Sequence, residues 1–206
     1  SICTISYLGV EKPDFISQVS SDGIFRIVSC SNVVPIKRIH LIILGLQELV
    51  RKRSELKIEW IHIGYGSLFE EIKKSAEFLL SNRITVKFTG YLPDNLFFDF
   101  YKNNPIDVFI NVSSSEGLPV SIMEAQSFGI PVIATAVGGT PEIVTENVGI
   151  LLNENPSPEE IAEALEFFID HPEIIKQMRL NSIENWEKNF NAAKNFTEFV
   201  KKLKML

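Results

Sequence analysis

Two carboxylates, Glu116 and Glu124, frame the most chemically suggestive stretch of the chain, SSSEGLPVSIME (113–124). Glu116 falls in a polar loop, and Glu124 falls more than a turn inside an apolar helix, beside Ile122, Met123, Ala125 and Phe128. A carboxylate on a mostly buried helix is costly unless it is paired. Glu124 therefore either faces solvent or faces a ligand. A vicinal diol such as a ribose suits it, because two hydroxyl donors satisfy its two oxygens. The free N–H groups of Gly117, Leu118 and Val120, on either side of Pro119, open the helix. They offer donors and a positive dipole end to hydroxyls or phosphate.

Two further stretches carry candidate phosphate chemistry. In AVGGTPE (136–142) the glycines allow close approach of backbone to a ligand, and Pro141 at a helix start leaves N–H groups pointing outward. Gly139 and Thr140 then belong to a pyrophosphate cradle, or to an ordinary Gly-Gly turn before a helix. In SNVVPIKR (31–38), Lys37 or Arg38 either neutralises a diphosphate or is a solvated charge. A cation at a helix start is unfavourable for the helix itself, which points to a reason other than stability.

Other patterns lead away from other chemistries. GYGS (64–67) lacks the Gly-Lys-Ser/Thr ending of a Walker loop, and Gly64 with Gly66 does not complete the dinucleotide fingerprint. His40, His62 and His171 have no metal-ligand spacing, so no metal is expected. Cys3 and Cys30 form no framework, and Cys30 reads as a buried thiol. The Asn-x-Ser/Thr matches at Asn111 and Asn195 read as accidental.

These residues need elements to position them, and the chain alternates strand and helix. Apolar runs predict strands over 25–30, 57–64, 84–90, 107–112, 130–135 and 149–152. Helical spacing of apolar residues predicts helices over 36–54, 67–80, 94–104, 119–129 and 157–170, the last opened by a capping box from Ser157 to Glu160. Repeated strand–helix units imply an α/β fold: a Rossmann-like, doubly wound parallel sheet of six strands with helices on both faces. Ligands in such sheets bind outside the carboxyl ends of the strands, where the polar clusters all fall. Residues 1–22 show little pattern and read as a lead-in. Residues 171–206 read as a helical tail, with Trp186, Phe190, Ala193, Phe196, Val200 and Leu203 on one apolar face that needs a partner.

Composition bounds the function. The 206 residues suffice for one α/β domain with a substantial core. A formal net charge of −6 argues against nucleic-acid binding, which needs a basic patch. No apolar run reaches membrane-spanning length, and the first residues do not have the form of a signal peptide.

Taken together, EGLPVSIMEA (116–125), a Glu-x7-Glu motif, and GIPVIATAVGGTPEIV (129–144) resemble the C-terminal domain of family 4 retaining glycosyltransferases, the "group 1" enzymes of the GT-B fold. The similarity runs in consistent order over about 24–170. The resemblance implies that Glu124 holds the donor's ribose, that Glu116 contacts the transferred sugar, and that Gly117, Leu118 and Pro119 touch sugar or phosphate. Lys37 would neutralise the diphosphate, and Tyr91 and Leu92 would lie near the base. The family usually carries an arginine where this chain has Asn32. Arg38 stands in place of a common glycine and is the candidate to restore that charge.

The resemblance further implies transfer of a sugar from a UDP- or GDP-type nucleotide-diphosphate sugar, without metal or cofactor, in polysaccharide or lipopolysaccharide biosynthesis. It implies a nucleotide-sugar-binding domain over 23–170 preceded by a linker. The tail would pack on an N-terminal acceptor-binding domain absent from the 206 residues. The expectation is an excised fragment or one half of a split enzyme, inactive alone. The full protein would be cytoplasmic and reach a membrane, if at all, through its other half. Alternatives are a non-catalytic nucleotide-sugar-binding or docking subunit, or a GT-B phosphorylase or epimerase.

Overall fold

The structure, a computed structural model, describes residues 6–80 and 83–204. Six parallel strands run in the order β3-β2-β1-β4-β5-β6. They are β1 (Phe25–Cys30), β2 (Ile58–Ile63), β3 (Ile84–Gly90), β4 (Val108–Asn111), β5 (Val132–Thr135) and β6 (Gly149–Leu152). The order reverses between β1 and β4, which defines the switch point of a doubly wound sheet.

Strand periodicity of two sends alternate residues to opposite faces. Ile27, Trp60, Val108 and Ile133 enter one core, beneath α1 (Ile39–Lys52), α2 (Phe69–Leu80) and α6 (Pro158–Asp170). Val28, Ile61, Phe109 and Val132 enter the other, beneath α3 (Asp94–Asn103), α4 (Val120–Ser127) and the turn that carries Trp186 and Phe190, whereas α7 (Pro172–Asn185) sends Ile175 and Met178 into the first core. Each large side chain fully withdrawn from water contributes about 1.5–3 kcal/mol, so the two cores carry the fold. Gly45 of α1 allows a close helix–helix approach: a Cβ there would meet Ile161 Cγ2 of α6 at 2.3 Å. The remaining helices are α5 (Thr140–Ile143) and α8 (Ala192–Lys204).

The elements agree with the sequence reading, with four instructive differences. The helix expected over 36–54 is divided. Pro35–Lys37 form a 3₁₀ turn, Arg38 takes a left-handed φ of 48°, and α1 starts only at Ile39. The capping box of α6 is half formed. Ser157 Oγ accepts from the Glu160 N–H at 3.2 Å, but the Glu160 carboxylate turns instead to the N–H and Nδ2 of Asn153.

The lead-in expected over 1–22 packs against the domain in its described part, a docking that its sequence pattern does not announce. Val10 exchanges backbone hydrogen bonds with Phe190 and Ala192, Phe15 stacks on Phe128 at 5.3 Å, and the Ser17 N–H donates to the Phe128 carbonyl at 3.0 Å. The tail's apolar face is split. A π-helical turn over Trp186–Phe190 and an extended Asn191 reset the helical register. Trp186 and Phe190 are buried in the domain, whereas Phe196, Val200 and Leu203 of α8 stay about half exposed, and Ala193 is exposed. Cys3 lies outside the described residues.

Candidate functional site

A crevice of about 730 Å³ opens at the carboxyl edge of the sheet, and Cys30 at the end of β1 forms part of its floor. The loop after β1 gives Ser31, Asn32 and Lys37, and the loop after β3 gives Tyr91 and Leu92. The loop and helix after β4 give Glu116, Pro119 and Glu124. Thus seven of the residues singled out above meet around one space, although Asn32 and Glu124 lie far apart in the chain.

The loops are set by close backbone packing. Gly64, with φ of 131°, sits where a Cβ would come within 2.0 Å of the Ser31 carbonyl, and a Cβ on Gly66 would come within 2.5 Å of the Val33 carbonyl. The Gly-x-Gly of β2 therefore lets its loop press against the loop carrying Lys37. Beneath it, Trp60 Nε1 donates to Ser29 Oγ at 3.0 Å, and Ser29 Oγ lies 2.8 Å from His62 Nδ1. Ser29 Oγ thus bridges the Trp60 and His62 side chains beneath the loop. Burial lowers the His62 pKa to about 4, so the ring is neutral and structural.

Lys37 is the one cationic side chain among the described residues that line the crevice. Its Nζ lies 2.7 Å from Glu116 Oε1, and Asn111 Nδ2 donates to the same oxygen at 3.1 Å. Burial alone would raise the Glu116 pKa, but the Lys37, Ser113 and Asn111 side chains together outweigh it and hold the carboxyl below its usual range. Glu124 is the opposite case. Its carboxylate accepts no hydrogen bond from any described residue, and burial, reinforced by the Asp94 charge, raises its pKa to about 7. Two carboxylates in one crevice are thus driven apart in pKa, one ionised and paired, the other awaiting donors.

Arg38 does not join them. Its Nε donates to the Val112 carbonyl at 2.8 Å, and its Nη2 donates to the carbonyls of Ser113 at 2.9 Å and Glu154 at 2.7 Å. Its Nη1 donates to Asn155 Oδ1 at 2.9 Å. The guanidinium fork bolts the β1, β4 and β6 loops together behind the crevice. The expectation that Arg38 restores the charge missing at Asn32 finds no support in this geometry, because every nitrogen is already engaged.

Gly139 and Thr140 also stand behind the wall. The Gly139 N–H donates to the Gly117 carbonyl at 2.8 Å, and a Cβ on Gly138 would come within 1.8 Å of the Glu116 carbonyl. The glycine pair supports the Glu116 loop from behind, and Thr140 is buried beneath it. Gly117 has open space around its Cα, and Leu118 packs into the α4-side core.

Sequence reasoning missed three crevice or support residues. Asn111 was read only as a sequon, yet it ends β4 and holds Glu116. Ser121 lies one turn before Glu124 on the same face of α4, a spacing that marks it. Asp94 opens α3 and faces the crevice near Glu124. Among the described residues no cluster of three or more His, Cys, Asp or Glu side chains suits a metal. No helix among them is long and apolar enough to cross a membrane.

Comparison with known proteins places this geometry. Residues 12–188 match the family described as glycosyl transferases group 1. An uncharacterized glycosyltransferase of Methanocaldococcus jannaschii is 32% identical over 169 residues, covering 76% of this chain and 41% of that protein. Among solved structures, the apo lipopolysaccharide outer core galactosyltransferase WaaB superposes with a TM-score of 0.79 at 19% identity, over 97% of this chain and 55% of that one. HepE of Anabaena, in complex with UDP and glucose, superposes with a TM-score of 0.73 at 21% identity, over 89% of this chain and 49% of that one. The chain spans about half the length of these relatives. With its sequence match, its six-stranded Rossmann-like sheet and its GT-B neighbours, the chain belongs to the group 1 glycosyltransferases.

Proposed function

We propose that the chain is the donor-binding half of a retaining glycosyltransferase that moves a sugar from a nucleotide-diphosphate sugar to an acceptor. The observation that carries this reading is the crevice at the switch point. It sets an unpartnered carboxylate, Glu124, beside a paired one, Glu116, with a single lysine, Lys37, between the loops. A ribose diol supplies the two donors Glu124 lacks. The base rests toward Tyr91 and Leu92, and the diphosphate lies against Lys37 and the open first turn of α4. Positive charge and helix N–H groups aimed at a departing diphosphate stabilise the charge that grows on it as the sugar leaves. Glu116 accepts from hydroxyls of the transferred sugar. In this reading the reaction needs no metal.

The complex of HepE with UDP and glucose agrees with the choice of ligand class, and WaaB, named for the lipopolysaccharide outer core, agrees with assembly of a surface polysaccharide or lipopolysaccharide. The acceptor belongs to an N-terminal domain outside these residues. The half-exposed Phe196, Phe199, Val200 and Leu203 of α8 suit packing against that domain. Saturation-transfer NMR with UDP- and GDP-sugars tests the reading. Ribose and sugar protons should receive saturation from the wild type, and Glu124→Ala should abolish the ribose signal. Equal transfer to both proteins would refute the assignment of Glu124.

A further inference from the structure

Lys37 and Glu116 are the two groups the donor reading most needs, and in the structure each occupies the other. The Nζ–Oε1 distance is 2.7 Å, with side chains only 23% and 9% exposed. The two partners are not equivalent. Glu116 has a second donor, Asn111 Nδ2, and Asn111 is itself fixed because its Oδ1 accepts from the Ser113 N–H at 3.0 Å. Lys37 Nζ has no second acceptor among the described residues. A diphosphate reaching Lys37 therefore meets a site already filled by an anionic oxygen at charge-assisted hydrogen-bond distance.

We propose that Glu116 is an internal counter-anion that a bound diphosphate must displace from Lys37, and that Asn111 is the positioning residue that retains the released carboxylate. The proposal rests on the donor-site reading above. It carries a consequence for selectivity. A bare nucleoside diphosphate breaks the pair and leaves Glu116 short of a donor beside its own negative charge. A nucleotide sugar breaks the same pair but offers Glu116 sugar hydroxyls in return. The contact thus weakens the product more than the donor, and favours exchange of spent nucleotide for fresh donor.

The test is titration of UDP, GDP and inorganic pyrophosphate into wild type, Glu116→Gln, Lys37→Gln and the double variant. Glutamine keeps an acceptor for Asn111, so the loop should hold. Losing a charge-assisted contact of this kind should tighten pyrophosphate and the preferred nucleoside diphosphate about tenfold in Glu116→Gln. The gain should vanish when Lys37 is also glutamine. In wild type, a 13C titration of the Glu116 carboxyl should show its pKa rising when pyrophosphate saturates the site. Unchanged or weaker binding in Glu116→Gln overturns the proposal, as does a gain that persists without Lys37 or a carboxyl pKa that does not move. If wild type still binds nucleotide and Glu124→Ala does not, only this proposal falls. If neither wild type nor Glu116→Gln binds any of the three probes, the donor-site reading falls with it.

Discussion

The Gly139 N–H donates to the Gly117 carbonyl at 2.8 Å, which makes the loops after β4 and β5 a single stacked unit. Glu116 is thus held from in front by Lys37 and Asn111 and from behind by a glycine pair. The pair had suggested a phosphate cradle, and its geometry instead makes it a backing for the loop that faces the ligand.

Gly138→Ala tests that backing. Gly138 has φ of 53°, and a Cβ would sit 1.8 Å from the Glu116 carbonyl oxygen. Backbone cannot yield as a flexible side chain can, so the variant should lose about 1–3 kcal/mol of stability. It should also bind nucleotide more weakly, because the Glu116 loop must shift. Thermal melting and a nucleotide titration check both effects, and an unperturbed variant would contradict the packing described.

Arg38 and Lys37 are neighbours with different work, and substitution should separate them. Arg38→Ala removes four hydrogen bonds to two other loops and should cost about 1–3 kcal/mol. Arg38→Lys should not rescue it, because an ammonium cannot reproduce the fork. Lys37→Gln should weaken diphosphate binding and lower the melting temperature less than Arg38→Ala does, because Asn111 still donates to Glu116. Denaturant unfolding beside calorimetry distinguishes the two patterns.

Glu124 should impose a pH dependence of defined sign. Its folded pKa is raised from 4.5 to about 7 by burial and by Asp94. The native state therefore holds its proton more tightly than the unfolded chain. The favourable contribution is complete below the unfolded value and is lost as pH rises through about 7. Glu124→Gln should accordingly match wild type at low pH and exceed it at pH about 8 by on the order of 3 kcal/mol. Ligand binding should run the other way, since ribose hydroxyls donate to the ionised form. Nucleotide affinity should rise with a midpoint near pH 7 in wild type, and this rise should be absent from Glu124→Gln.

The docking of lead-in to tail gives a fourth expectation. A Cβ on Gly9 would meet the Ala192 nitrogen and the Phe190 carbonyl oxygen, each at 2.6 Å. Gly9→Ala should release this junction and speed proteolytic cleavage between residues 6 and 15, with the sheet core retained.

What the sequence made legible follows from which physics is local. Strands β3 and β6 were readable to the residue because their apolar runs end at glycine or start from it. The Glu116 to Glu124 spacing placed both carboxylates at one strand end. Arg38 was not readable, because its side chain answers to carbonyls of Val112, Ser113 and Glu154, far away in sequence. The same holds for Asn111, whose partner lies across a loop. The tail failed for a related reason. The spacing from Trp186 to Leu203 is continuous, but the π turn and Asn191 divide it, and periodicity cannot report a register reset.

The most direct test of the account is calorimetric titration of UDP, GDP and ADP, with and without magnesium, into wild type and Glu124→Ala. The account predicts binding of one nucleotide that is indifferent to magnesium and is lost or strongly weakened in the variant. Binding that requires magnesium, or that survives the loss of Glu124 intact, would contradict it.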